Sequence, residues 1–255
     1  MARNVTVPGW VENPEIALDL CRACHRCPDM EEIALPYERV LLIGASGGIG
    51  AALARAWAGP GLVTLSRSGD GLDVTDEASV ARAAQALEGP FDLIFDATGG
   101  LRIGDFGPEK ALEQIDPAAM AAQFALNAIG PALLLKHFGP LLPREGRAVF
   151  ASLSARVGSI GDNRLGGWIS YRAAKAALNQ IVRTASIEMT RRNRDSVVVA
   201  LHPGTVATPL TRPYLGRHPS VTPDEAAERL TAVLAGLTPA QTGGFYDYAG
   251  EEIPW

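Results

Sequence analysis

Val40-Leu41-Leu42-Ile43 runs directly into Gly44-Ala45-Ser46-Gly47-Gly48-Ile49-Gly50, and apolar residues then recur at helical spacing over residues 51–58. No other stretch limits the fold so tightly. A short unbroken apolar run marks a strand covered on both faces, as in the middle of a parallel sheet. Glycines between that strand and a helix let the backbone approach a ligand, and the helix start offers unpaired N–H groups and the positive end of its dipole. The stretch therefore predicts a βα unit seating a pyrophosphate on Gly44, Ser46, Gly47, Gly48, Ile49 and Gly50.

The alternation continues to the end of the chain. Further strands are predicted at Leu62–Leu65 and at 91–95, 148–152, 197–201 and 244–248, separated by helical patterns near 76–87, 117–138, 171–191 and 223–237. Strand and helix in strict turn mean a Rossmann-type doubly wound parallel sheet, a three-layer α/β/α single domain. A length of 255 residues with 47% hydrophobic content suits one such domain.

Residues 1–37 differ in character, with Pro8, Gly9, Pro14, Pro28 and Pro36 breaking any long period, and read as a non-catalytic extension to a domain over 38–255. All three cysteines, Cys21, Cys24 and Cys27, lie there with His25 between them. The spacing is like part of an iron–sulfur run, but the ligand set is incomplete and no second cysteine cluster follows, so no metal is expected. A net charge of −5 argues against nucleic-acid or anionic-membrane partners. No apolar run of membrane-spanning length and no signal-peptide pattern stands out, which leads to a cytoplasmic expectation.

Four further places carry chemistry. The strand at Leu62–Leu65 ends in Ser66-Arg67, where an NAD site places a carboxylate and an NADP site a cation; Arg67 favours NADP(H) over NAD(H). The strand at 91–95 runs out into Asp96-Ala97-Thr98-Gly99-Gly100, and small residues at Ala97, Thr98 and Gly99 leave room for a ligand. The helix capped by Asp116-Pro117 contains Pro131, which cannot bond the carbonyl of Asn127 and predicts a kink that frees it to hold a water. Tyr171 and Lys175 lie one turn apart on a helix that has no internal Pro or Gly. A neighbouring ammonium stabilises a phenolate and lowers its pKa, making the pair a general acid/base. The alternative is a surface Tyr and Lys in adjacent turns, although Lys175 is one of only three lysines in the chain.

With the glycine turn, Asn127, the serines, Tyr171 and Lys175 in this order, the chain from about residue 38 onward resembles the short-chain dehydrogenase/reductase family. Within it, Ser154-Ala-Arg-Val-Gly-Ser-Ile, Gly166-Gly167-Trp168, Ala176-Ala177-Leu178-Asn179 and Ile253-Pro254-Trp255 are similar to the C-factor and sniffer-like carbonyl reductase branch. The resemblance implies Tyr171 as proton donor and Lys175 as the cation that lowers its pKa and binds the nicotinamide ribose. Asn127 would hold a relay water and a serine would hydrogen-bond the carbonyl oxygen. It also implies that Pro203, Gly204, Val206 and Thr208 lie along the nicotinamide and Asp73 and Val74 beside the adenine.

Three positions depart from the family pattern. Ile43 stands where Thr is usual, Asp96-Ala97-Thr98-Gly99 replaces Asn-Asn-Ala-Gly, and Ala155 occupies the common place of the catalytic Ser, so Ser154 is taken for that role with Ser152 and Ser159 in reserve. The implied activity is NADP(H)-dependent reduction of a small carbonyl compound, or oxidation of the corresponding alcohol, in a protein that can form homo-oligomers. The competing reading is a dinucleotide-binding signalling protein with little turnover, for which Ala155 would be a damaged site.

Overall fold

The computed structural model describes residues 35–255 apart from 215, 217 and 218; the Cys21–Cys27 cluster lies outside the described residues. Leu35–Trp255 forms one compact unit. Its six strands are β1 (Val40–Ile43), β2 (Leu62–Leu65), β3 (Leu93–Asp96), β4 (Ala148–Leu153), β5 (Ser196–His202) and β6 (Phe245–Asp247). They make one all-parallel sheet in the order β2-β1-β3-β4-β5-β6. The helices are α1 (Gly48–Ala56), a single turn α2 (Arg67–Asp70), α3 (Glu77–Gln85), α4 (Pro117–Phe124), α5 (Gly130–Phe138), α6 (Ile169–Arg192) and α7 (Pro223–Gly236).

Burial on both faces explains the continuous apolar runs. Leu41, Ile43, Ile94, Phe150, Val198 and Ala200 face one core with Val80 of α3, Leu134 and Phe138 of α5, and Leu178 and Val182 of α6. Leu42, Leu93, Phe95, Val149, Val197 and Val199 face the other with Leu53 of α1 and Leu230 and Leu234 of α7. Each fully covered Leu, Ile or Val stabilises the fold by about 1.5–3 kcal/mol, and truncating Phe150 to Ala would cost about 3–5 kcal/mol.

Caps fall where the sequence places them. Asp76 accepts from Ala78 N at 3.0 Å, Asp116 from Ala119 N at 2.8 Å and Thr222 from Glu225 N at 3.1 Å. The kink expected at Pro131 is instead a π turn over Ala125–Ile129 that joins α4 to α5 and widens the helix around Asn127. Pro131 has no N–H to offer Asn127 O, and just before it the chain bonds one residue further than an α turn, Gly130 N to Ala125 O. The whole helical stretch Pro117–Leu141 is also long and apolar enough to cross a membrane by length and composition, contrary to the sequence reading. It packs on α6 and α3, with 39% of its most apolar window buried.

Candidate active site

Every strand ends on the same edge of a parallel sheet, and the strand order reverses between β1 and β3. Such a reversal opens a crevice where α/β sheets bind ligands. Gly44, at φ 89°, turns the chain out of β1, and a Cβ there would lie 2.9 Å from the Ala97 carbonyl carbon. A Cβ on Gly50 would lie 2.2 Å from Gly44 O, and one on Gly48 would lie 2.6 Å from Thr208 Cγ2. Glycine is thus required three times over, which lets the β1 turn, Ala97-Thr98 and Thr208 pack in contact. Gly47 caps α1 without any side-chain bond, and Ser46 and Gly47 are exposed. Ala51 N makes the first α1 bond, to Gly47 O at 2.7 Å, so no side-chain cap competes for the first-turn N–H groups.

At the end of β2, Ser66 caps α2 through Gly69 N at 3.0 Å, and Arg67 is exposed. Asp70 folds back to accept from Ser66 N at 2.8 Å, a carboxylate beside the cation that the sequence reading overlooked. Asp73 accepts from Thr75 N and Oγ1 at 2.9 and 2.7 Å; those bonds, helped by Arg67, hold its carboxyl below the ordinary value. Val74 lies under α5, where a Cβ on Gly130 would come 3.0 Å from Val74 Cγ2. Beyond β5, Pro203 leads into Gly204 at φ 79°, whose Cα faces the Tyr248 ring; Val206 is buried, and Thr208 N donates to Thr211 Oγ1 at 3.0 Å.

Asn127, Gly99 and Lys175 meet at the crevice floor. Asn127 Nδ2 donates to Gly100 O at 2.9 Å and to Gln123 Oε1 at 2.7 Å, while its Oδ1 accepts from Gly100 N at 3.0 Å. A Cβ on Gly99 would touch both Asn127 Oδ1 (3.0 Å) and Lys175 Nζ (3.2 Å). Lys175 is buried and donates to Leu153 O at 2.8 Å. Burial lowers its pKa to about 8, against the pull of Asp96.

Asp96 is the partner that the sequence reading treated only as a strand end. Its carboxylate is fully buried, accepts from Ser152 Oγ at 2.6 Å and from Thr98 N and Oγ1 at 2.9 and 2.5 Å, and has its pKa raised by desolvation.

Tyr171 stands one turn before Lys175, and here the electrostatics differ from expectation. Burial alone acts on the phenol and pushes it up to about 12. No lowering by Lys175 appears, because that ammonium is turned inward to Leu153. His202, at the end of β5, is pushed down to about 4 mainly by burial and then by Arg156, and its Nδ1 has no hydrogen-bond partner among the described residues.

The three serines are all engaged. Ser154 Oγ donates to Asn179 Oδ1 at 2.6 Å, one turn beyond Lys175 on α6; Ser152 bonds Asp96; Ser159 Oγ donates to Pro254 O. Ser154 therefore faces the helix below Lys175. A cavity of about 560 Å³ lies elsewhere, between residues 176–183 of α6 and the β6 end, and contains neither Tyr171 nor Lys175.

The start of α6 was also missed. Gly166, Gly167 and Trp168 take φ values of 63°, 67° and 54°, a left-handed turn that costs a non-glycine residue about 1–2 kcal/mol. The Trp168 ring meets that of Tyr171 edge-on at 6.4 Å. The glycine pair was the visible signal of such a turn; nothing in the sequence marked Trp168 as its third member.

With this geometry in hand, comparison with known proteins is decisive. Residues 65–233 match the family model described as enoyl-(acyl carrier protein) reductase. The chain belongs to the short-chain dehydrogenase/reductase family. It is 34% identical over 189 residues to 1-hydroxy-2-glutathionyl-2-methyl-3-butene dehydrogenase of Rhodococcus, covering 72% of this chain and 79% of that one. It is also 34% identical over 175 residues to the C-signal protein of Myxococcus xanthus, covering 69% and 99%. The NADPH-bound carbonyl reductase from chicken fatty liver superposes with a TM-score of 0.74 at 26% identity, over 88% of this chain and 97% of that one.

As a short-chain dehydrogenase/reductase, the protein is an NAD(P)-dependent oxidoreductase. The six-stranded parallel sheet is the fold of its structural neighbours. Two of this member's departures from the family pattern now have a physical content. Asp96 places a charge under Lys175, and Ala155 leaves Ser154 as the adjacent hydroxyl, bonded to Asn179.

Proposed function

We propose that this enzyme reduces the carbonyl group of a small organic molecule with NADP(H), with Tyr171 as the proton donor. The observation that carries the reading is the convergence of Lys175, Asn127 and Gly99 beside the glycine turn at the β1/β3 reversal, with Tyr171 one turn before Lys175 on α6. A nicotinamide dinucleotide held there supplies the hydride. Gly44, Gly48 and Gly50 fit such a ligand, since they keep the turn out of β1 tight against Ala97-Thr98 and Thr208, and the first turn of α1 has no side-chain cap to displace. Arg67 offers a cation to a 2′-phosphate, which supports NADP(H); the chicken liver relative was solved with NADPH.

A phenol at about 12 is protonated throughout the neutral range, so Tyr171 has a proton to give when negative charge develops on the carbonyl oxygen. Lys175, charged below about pH 8, is the cation we assign to the nicotinamide ribose, since its ammonium turns inward to Leu153 and not to the phenol. Asn127 fixes Gly99-Gly100 through its side chain, and its main-chain carbonyl lies in the π turn, the group we assign to a relay water. The catalytic unit in this reading is the compact unit Leu35–Trp255, which takes in Tyr37, buried with its hydroxyl on Leu234 O.

The test is NADPH oxidation, followed by absorbance, against aldehydes, ketones and diketones, with NADH in parallel and Tyr171→Phe as control. Turnover that depends on Tyr171 is the expected result. Tight NADPH binding with no turnover on any carbonyl would favour the signalling reading, to which the engaged Ser154 hydroxyl and the C-signal relative point.

A further inference from the structure

Glu109 lies in the loop between β3 and α4, sixty-one residues before Ser170. It is buried, yet it forms no ion pair among the described residues. A buried carboxylate is costly unless its oxygens are satisfied, and these are satisfied by the start of α6. Oε2 accepts from Ser170 N at 3.3 Å, Oε1 accepts from the Ser170 hydroxyl, and the Glu109 main-chain carbonyl accepts from Trp168 N at 2.5 Å. Trp168, the N-cap residue, supplies no capping side chain of its own. The helix is capped instead from a distant loop, by a negative charge on the positive end of its dipole.

Tyr171 is the next residue after Ser170, so whatever fixes Ser170 fixes the helical backbone that carries the phenol. The same turn is held from the helix side by Arg172, whose Nε donates to Gly167 O at 2.9 Å and whose Nη2 donates to Gly166 O at 3.1 Å. The loop that carries Glu109 is anchored at its other end, where Gln123 Nε2 donates to Leu101 O at 2.9 Å and Asn127 holds Gly100. We infer that Glu109 is a positioning residue that clamps the crevice loop to the first turn of α6 and so places the Tyr171 hydroxyl for proton transfer. The inference rests on Tyr171 being the proton donor, and its consequence is that the clamp acts on turnover and leaves dinucleotide binding alone.

The experiment compares Glu109→Ala, Glu109→Gln and the milder Ser170→Ala in the full chain. It measures kcat for carbonyl reduction, Kd for NADPH and amide hydrogen exchange. Glu109→Ala is expected to lower kcat by about tenfold to a hundredfold, the usual cost of a misplaced reacting group, with NADPH affinity within about threefold of the parent. Glu109→Gln keeps an acceptor for Ser170 and should restore most of the loss; Ser170→Ala should reproduce part of it. Unchanged kcat in Glu109→Ala, a Gln variant as slow as the Ala variant, or loss of NADPH binding in step with kcat would each overturn the assignment. Hydrogen exchange separates this from failure of the functional reading. Should the parent reduce no carbonyl, exchange that quickens in Glu109→Ala only at the first turn of α6 still supports the clamp, and unchanged exchange there refutes it.

Discussion

The β1–β3 side of the crevice and the β4–α6 side are built on opposite plans. Around Gly44, Gly48 and Gly50 the site is backbone, and its shape is defined by atoms that must be missing: three Cβ positions lie 2.2–2.9 Å from their neighbours. Around Lys175 the site is made of buried polar side chains whose bonds reach 25 to 56 residues along the sequence, Asp96 to Ser152, Asn127 to Gly100 and Ser154 to Asn179. The first plan tolerates no added bulk. The second couples Lys175 to the Asp96 carboxyl, which makes it sensitive to a change of charge there.

Tyr171→Phe should break the comparison most sharply. Turnover is expected to fall by about a hundredfold to ten-thousandfold, since one transferable proton is lost, while NADPH affinity stays near the parent value. Comparable loss of both in a binding titration would mean that the two sides do not act separately. Gly50→Ala is the mirror experiment. Its new methyl collides with Gly44 O, so thermal denaturation should show a loss of about 1–3 kcal/mol and dinucleotide binding should weaken with it. A stable variant with normal affinity would show that the cradle is looser than its contacts imply.

Arg67→Ala is expected to weaken NADPH by about tenfold or more and NADH little, through loss of a charge-assisted bond to phosphate. Equal losses in paired titrations would remove Arg67 as the phosphate reader and turn attention to Asp70. The smallest effect concerns pH. Lys175 is charged below about pH 8, so reduction should decline as pH rises through that value. Asp96 raises the Lys175 pKa, hence Asp96→Asn should move the break to lower pH. A pH–rate profile for kcat/KM that does not move would mean that the two buried groups are not coupled.

The backbone-built side was the legible one. Glycine spacing between an apolar run and a helix states a steric requirement that holds whatever surrounds it, and the predicted strand ends fall within about two residues of those found. Tyr171, Lys175 and Asn127 were legible as residues, though not in their electrostatics. The expectation that Lys175 lowers the Tyr171 pKa treats the pair as an isolated helix face, whereas Lys175 turns inward to Leu153 and burial of the phenol wins. Asp96 stood out only as a departure from the family pattern, and Glu109 not at all, for a related reason. An acidic residue has no periodic signature, and what makes these two matter is burial against partners far away in sequence. The choice among Ser152, Ser154 and Ser159 depended on where each hydroxyl points, which a strand end and the loop after it do not encode.

The π turn at Ala125–Ile129 has a further consequence. Asn127, within it, holds Gly100, and Gly130, just after it, rests on Val74. Each helical residue is set about 100° round from the last, so the number of residues in the turn fixes how those two contacts are phased about the axis. Removing one residue would rotate one half against the other by about that angle, and Asn127 and Gly130 could not then both keep their seats. The register of the two contacts is written as a residue count, which no single substitution changes.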